Sequence, residues 1–117
     1  MALRKAMERL RTPVDELDRK ALREYCDRLG VTPMDKISPR TPISVAGEIR
    51  TVRIVPRAGA PALEVTVSDG RGAVVAVFLG RRKLAGMSPG RRVFLNGFVG
   101  VDGRRLLIYN PEYELLG

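Results

Sequence analysis

Arginine carries most of the chemistry that this chain can offer. Seventeen arginines and four lysines stand against thirteen acidic residues, a net charge of +8. A guanidinium is a planar fork of donors that fits phosphate and carboxylate oxygens two at a time. A basic balance of this size favours polyanionic partners; the plainer reading is the arginine bias of a GC-rich genome. The rest of the catalytic menu is short. Histidine is absent and Cys26 is the sole cysteine, which excludes imidazole catalysis, an internal disulfide and a cysteine-built zinc site. Glu64, Asp69, Asp102, Glu112 and Glu114 show no spacing that argues for an acid–base pair. No catalytic residue, cofactor or metal is expected, and the chain reads as non-enzymatic.

The charge is unevenly spread. Residues 1–36 hold a net +2 and residues 37–117 a net +6, so a partner is sought on the second segment. Two basic runs there, Arg81-Arg82-Lys83 and Arg104-Arg105, are stronger candidates than single arginines such as Arg40 or Arg91, which read as solvated surface.

These side chains need a framework, and 117 residues with 44% hydrophobic content allow one compact domain. Two parts are expected within it, a helical segment with a linker over 1–42 and a β-rich body over 43–117. Leu3, Met7 and Leu10 mark a short first helix. Thr12 as N-cap and Pro13 at the first helical position start a second, about 13–29, with Asp15, Glu16 and Asp18 favourably placed near its N-terminus. Its stripe is Leu17, Ala21, Leu22, Tyr25, Cys26 and Leu29, and Gly30 stops it. Cys26 on that stripe reads as a small core residue rather than a nucleophile. Thr32-Pro33, Ser38-Pro39 and Thr41-Pro42 form the linker. No stretch approaches the ~18 apolar residues that a membrane span requires, and MALRKAMERLR lacks the apolar core of a secretory signal. The expected setting is the cytoplasm, without membrane insertion.

Beyond residue 43 the period changes from helical to alternating. Ser44–Pro56 reads as a long strand, apolar at Val45, Gly47 and Ile49 and then at Val52 and Ile54. The slip of phase near Arg50-Thr51 predicts a bulge or bend. Arg57–Pro61 is a hairpin loop. Leu63, Val65 and Val67 mark a second strand, and residues 73–79 a third after the Asp69-Gly70 turn. A short helix over Arg81–Met87 is expected next. A fourth strand carries Val93, Leu95, Gly97 and Val99, and a fifth, about 104–110, follows Asp102-Gly103. Five strands with a helix between the third and fourth is the layout of a mainly β, five-stranded OB-fold Greek-key barrel. An SH3-like barrel is the competitor, although it does not normally place a helix there.

Three motifs then occur in order. Ser68-Asp69-Gly70-Arg71-Gly72-Ala73-Val74 resembles the D-G-x-G turn of the OB-fold family that includes anticodon-binding domains. Ser88–Val99 is similar to its P-G-x-x-V-x-x-x-G-x-V fourth strand. Ile108-Tyr109-Asn110-Pro111-Glu112-Tyr113-Glu114 resembles the H-P-E-Y segment that closes the wedge domain of RecG-type DNA helicases, with Asn110 where those proteins usually carry histidine. The chain as a whole resembles small free-standing actinobacterial OB-fold proteins that bind nucleic acid. A helicase motor requires a G-x-x-x-x-G-K-[ST] loop, and Gly80-Arg81-Arg82-Lys83-Leu84-Ala85-Gly86 is not one. The resemblance therefore implies a DNA-contacting module without an engine. It implies single-stranded or branched nucleic acid without saying which, and the partner expected is single-stranded or junction DNA rather than RNA.

OB-folds bind strands across the outer face of strands two and three, between the one–two and four–five loops. On that face the alternation places Arg53, Val55 and Arg57, then Glu64, Thr66 and Ser68, then Val75, Val77 and Leu79. The expected nucleic-acid contacts are Arg53, Arg57, Thr66, Val77, Leu79, Arg81, Arg82, Lys83, Arg104 and Arg105. Glu64 is expected to repel phosphate. No aromatic is expected outward on strands two or three, so binding should be weak and salt-sensitive. Duller readings stand beside these. Val75, Val77 and Leu79 could be covered by the helix at 13–29 or by a second copy. Phe94 and Phe98 could seat that helix or a dimer, and Tyr109 and Tyr113 could be packing residues. The competing function is a protein-interaction or oligomerisation module using the same surfaces.

Overall fold

The computed structural model describes residues 16–117. The expected first helix (Leu3, Met7, Leu10) and the start of the second (Thr12, Pro13, Asp15) lie outside them. A helix, α1, runs over 16–28, and a single 3-10 turn follows at Met34–Lys36. Six strands come next: β1 Pro42–Arg57, β2 Ala60–Ser68, β3 Ala73–Leu79, β4 Arg92–Asp102, β5 Arg105–Tyr109 and β6 Glu112–Leu116. The protein is mainly β. Its strands form one sheet in the order β1-β2-β3-β5-β4-β6, and a β1–β4 pairing closes the first five into a ring.

β1 closes the ring because it pairs twice. Its first half lies against β4, from Pro42↔Phe98 to Glu48↔Arg92, and its second half against β2, out to Arg57↔Ala60. The register shifts between Ile49 and Thr51, where the apolar phase slips. An extra residue there turns the inward set over and increases the local twist. Two-residue turns at Ala58-Gly59 and Gly103-Arg104 join β1 to β2 and β4 to β5. Ala58 and Gly59 both adopt positive φ, 50° and 78°, the geometry that matches the twist of a tight hairpin.

The ring interior is apolar: Val45, Ile49, Leu63, Val65, Val67, Val74, Ala76, Phe78, Val93, Leu95, Val99 and Ile108 form one buried cluster. The inward reading of Val74, Ala76 and Phe78 holds. Ile54 departs from it, at 59% exposed, because it lies toward the tip of the long β1–β2 hairpin. α1 buries Leu22 and Cys26 against Ala46 of β1, with Tyr25 and Leu116 packed alongside. Arg71 clamps the helix through two bonds to Asp27, 3.0 and 2.9 Å. The outer face of β2 and β3 is therefore not the seat of α1. The expected stripe is narrower than its spacing suggests, since Leu17 and Leu29 are 65% and 43% exposed. Cys26 donates its thiol hydrogen to the Ala46 carbonyl at 3.3 Å. Burial, with Asp69 nearby, pushes that thiol up to about 11, so it is a packing residue and not a nucleophile at neutral pH.

Two expectations are corrected. Residues 81–87 form no helix: Gly86 within the segment takes a φ of 79°, and Gly80 before it and Gly90 after it take 74° and 91°, so left-handed turns interrupt and bound the would-be helix. A sixth strand, β6, pairs with β4 from Asn96↔Glu112 to Arg92↔Leu116. Asn110 makes it possible. Its φ of 47° suits an asparagine better than most residues. Its N–H bonds the Val77 carbonyl at 2.7 Å, and its Oδ1 accepts from the Leu79 N–H at 2.9 Å.

The crossing of β1 over the ring has a steric condition. A Cβ on Gly47 would overlap the Ser68 carbonyl and lie 2.9 Å from Val67 Cγ1. Gly47→Ala should therefore destabilise the protein by about 1–3 kcal/mol, as overpacking of a tight core does. Urea unfolding of the two proteins measures this, and an unchanged midpoint would show that the backbone yields freely there.

Candidate nucleic-acid interface

The outer face of β1, β2, β3 and β5 is built by alternation. β1 contributes Thr51, Arg53, Val55 and Arg57. Across the register Arg53 meets Glu64, and Thr51 meets Thr66, on β2; these in turn meet Val77 and Val75 on β3. Val75 and Val77 meet Leu107 and Tyr109 on β5. The parallel pairing of β5 with β3 lets residues some forty positions apart in sequence share this face.

Glu64 is at its centre and only 3% exposed. Three guanidinium groups converge on its carboxylate. Arg53 and Arg105 donate to Oε1 at 3.2 and 3.0 Å, and Arg57 to Oε2 at 3.0 Å. Arg105 also reaches Asp102 at 3.4 Å, and Arg57 donates to the Tyr109 hydroxyl at 3.2 Å. The Arg57 guanidinium lies 5.6 Å from the centre of the Tyr109 ring. A belt of charge thus runs from Asp102 and Arg105, over Glu64, to Arg53 and Arg57. Burial alone would push the Glu64 carboxyl up, but the hydrogen bonds from Arg57, Arg105 and Arg53 outweigh it and hold the group below its ordinary value of 4.5. In return, the hydrogen bond to Glu64 holds Arg105 above the ordinary arginine value. Three guanidinium groups against Glu64 and Asp102 leave the belt one positive charge in excess. The expectation that Glu64 repels phosphate took its charge as unscreened; its arginines enclose it.

The belt explains why Val77 is fully buried and offers no surface to a ligand. Arg57 touches Glu64 on β2 and Tyr109 on β5, the strands on either side of Val77, so its side chain crosses over that position. Val77 packs with Ala62, Val75 and Leu107 in a small cluster of their own. Long cationic stems commonly cover apolar surface in this way.

Beside the belt lies an open groove of about 480 Å³, lined by Thr51, Arg53, Thr66, Ala73, Val75, Arg104, Arg105 and Leu106. It unites four of the expected contacts, Arg53, Thr66, Arg104 and Arg105. Arg57 belongs to the belt that bounds it. Leu79 is 45% exposed at the far end of β3, opposite Ala62. Arg81, Arg82 and Lys83 are exposed in the loop that leaves β3, where the Gly80 N–H bonds the Pro61 carbonyl at 2.9 Å. They neighbour the β1–β2 hairpin and do not line the groove. Thr51, Ala73 and Leu106 also line the groove and were not among the expected contacts, and Tyr109, read as a packing residue, carries the Arg57 contact. Thr51 reaches this face through the bulge, and Tyr109 through the parallel pairing of β5 with β3. Phe98 on β4 and Tyr113 on β6 are also exposed, at 58% and 41%.

No family model matches this chain, and no curated protein does. Among solved structures, it is similar to RecG in the structure of RecG bound to a three-way DNA junction. The TM-score is 0.61 at 20% identity, over 71% of this chain and 12% of that one. The fold is shared with part of RecG. At that identity the likeness is one of architecture, and this chain spans a small fraction of RecG's length.

The Glu64 cluster makes stability depend on acid. Its lowered value means that the unfolded chain takes up the proton first as pH falls. The stabilisation is complete above pH 4.5 and is lost as pH drops through the lower folded value. Glu64→Gln should cost about 1–3 kcal/mol at neutral pH, the usual loss for a charge-assisted bond left incomplete. It should also flatten the acid limb, so that urea midpoints of the two proteins draw together as pH falls below 4.5 and through the lower folded value. Parallel acid limbs would contradict this account.

Proposed function

We propose that the protein is a non-catalytic OB-fold module that binds single-stranded or branched DNA through arginine–phosphate contacts. The observation that carries this reading is the groove, whose lining brings Arg53, Arg104 and Arg105 together with Thr51, Thr66, Ala73, Val75 and Leu106. Guanidinium forks suit phosphate, and a lining that mixes apolar and hydroxyl side chains suits an unpaired nucleotide. The shared fold supports it, since RecG was solved on a three-way DNA junction. Arg81, Arg82 and Lys83 extend the cationic surface past the β1–β2 hairpin. Tyr109 and Phe98 offer exposed rings, and base–aromatic stacking is worth about 1–3 kcal/mol per base. No helix among the described residues is long and apolar enough to cross a membrane.

Fluorescence anisotropy with labelled single-stranded, duplex and forked DNA and single-stranded RNA, across a salt series, tests the reading. Single-stranded or forked DNA should bind best, with affinity falling as salt rises. Arg104→Ala should lower the salt slope by about one unit, and replacing Arg81, Arg82 and Lys83 together by alanine should lower it further. Affinity should vary little around neutral pH, because Glu64 titrates below 4.5 and Cys26 at about 11. Equal weak binding to every substrate would reduce the +8 charge to a nonspecific attraction. Absence of binding at low salt would favour a protein-interaction module.

A further inference from the structure

We propose that Glu64 is a positioning residue for a phosphate receptor, holding Arg53 and Arg105 side by side so that both turn donors toward one phosphate in the groove. The proposal rests on the nucleic-acid reading above and deepens it. Both arginines end on the same oxygen, Oε1, at 3.2 and 3.0 Å. Their bonded nitrogens are therefore no more than about 6 Å apart, which sets the two guanidinium groups side by side. Both residues line the groove. Among the described residues, Arg53 keeps Nη1 and Nε uncommitted and Arg105 keeps Nε.

The second carboxylate oxygen is taken by Arg57 at 3.0 Å. That contact, with Arg57 braced on the Tyr109 hydroxyl, fixes the plane of the carboxylate. Glu64 itself is too enclosed to meet a ligand, so it acts through the arginines and not on the phosphate. Two long cationic side chains left to themselves would have to be ordered by the strand that binds them. Here the ordering is done by folding. Thr66 at the side of the same groove supplies a hydroxyl, and Arg104 a further guanidinium on its border.

This role and simple electrostatics predict opposite signs. If Glu64 acted only as a negative charge on a phosphate-binding face, Glu64→Gln would bind DNA more tightly, and Glu64→Asp, which keeps the charge, would bind as the parent does. Positioning predicts that both variants weaken binding. Glutamine cannot accept from all three arginines, and aspartate is one methylene too short to reach them. The experiment is anisotropy with a labelled single-stranded oligothymidine over a salt series, on variants whose folded state is verified by circular dichroism. Both should bind about fivefold more weakly, with a salt slope lower by about one unit as one phosphate contact is lost. A change in stability alone would leave the slope of the folded protein unmoved. Parental or tighter binding by Glu64→Gln would overturn the proposal and leave the nucleic-acid reading standing. If that variant does not fold, parental affinity in Glu64→Asp does the same. A parent protein that binds no single strand removes both.

Discussion

Burying a carboxylate removes it from water, and it stays ionised only if its neighbours replace the lost solvation. Glu64, at 3% exposed, meets that requirement with three arginines, and the arrangement of the outer face follows from it. Arg57 must lie over Val77 to reach both Glu64 and Tyr109, which seals the strand beneath. Arg53 and Arg105 must turn inward to the same oxygen, which leaves them on the border of the groove. The alternative, apolar residues in place of the belt, would be no less stable on general grounds, since buried ion pairs often add little to stability. What the belt does add is order: it holds cationic donors beside the groove, the arrangement on which the proposed binding surface rests.

The closed ring is what makes this network possible. Arg53 and Arg57 come from one strand, Glu64 from the next, and Arg105 from a strand that reaches them only after the chain has passed through β3 and β4. β1 supplies the closure by pairing with both β2 and β4, and the bulge at its middle allows one strand to serve both partners. Gly47 fits this crossing because the Ser68 backbone occupies the space a side chain would need. At the opposite end, Asp69 accepts from the Met34, Arg71 and Gly72 N–H groups and fixes the β2–β3 turn against the segment that follows α1. Packing thus keeps α1 at the Ala46 side of the ring, away from the groove.

Local signals were legible wherever a local rule decides the outcome. The phase slip at Arg50-Thr51 became the bulge, the alternation over 73–79 became β3, and Asp102-Gly103 led into a two-residue turn. Other features depend on distant partners. Glu64 looked like an isolated negative charge because its arginines stand 7, 11 and 41 residues away. Val77 looked outward by alternation, and it does face outward, but the crossing arginine covers it. The Arg81–Met87 segment has helical spacing, yet Gly86 within it and Gly80 and Gly90 on either side take left-handed turns that spacing does not encode. β6 was missed because its five residues offer too short a pattern, and its existence depends on how Asn110 turns the chain back along β4.

The most direct test of a groove served by the Glu64 arginines is to watch those residues as DNA is added. Titration of single-stranded DNA into isotopically labelled protein, followed by NMR of backbone and arginine side-chain N–H groups, reports every contacted position at once. The largest and earliest changes are expected at Arg53, Thr66, Arg104 and Arg105, with Arg57 following through the shared carboxylate and α1 silent. Changes confined to α1 or to the Arg81–Lys83 loop, with the groove unmoved, would contradict the account.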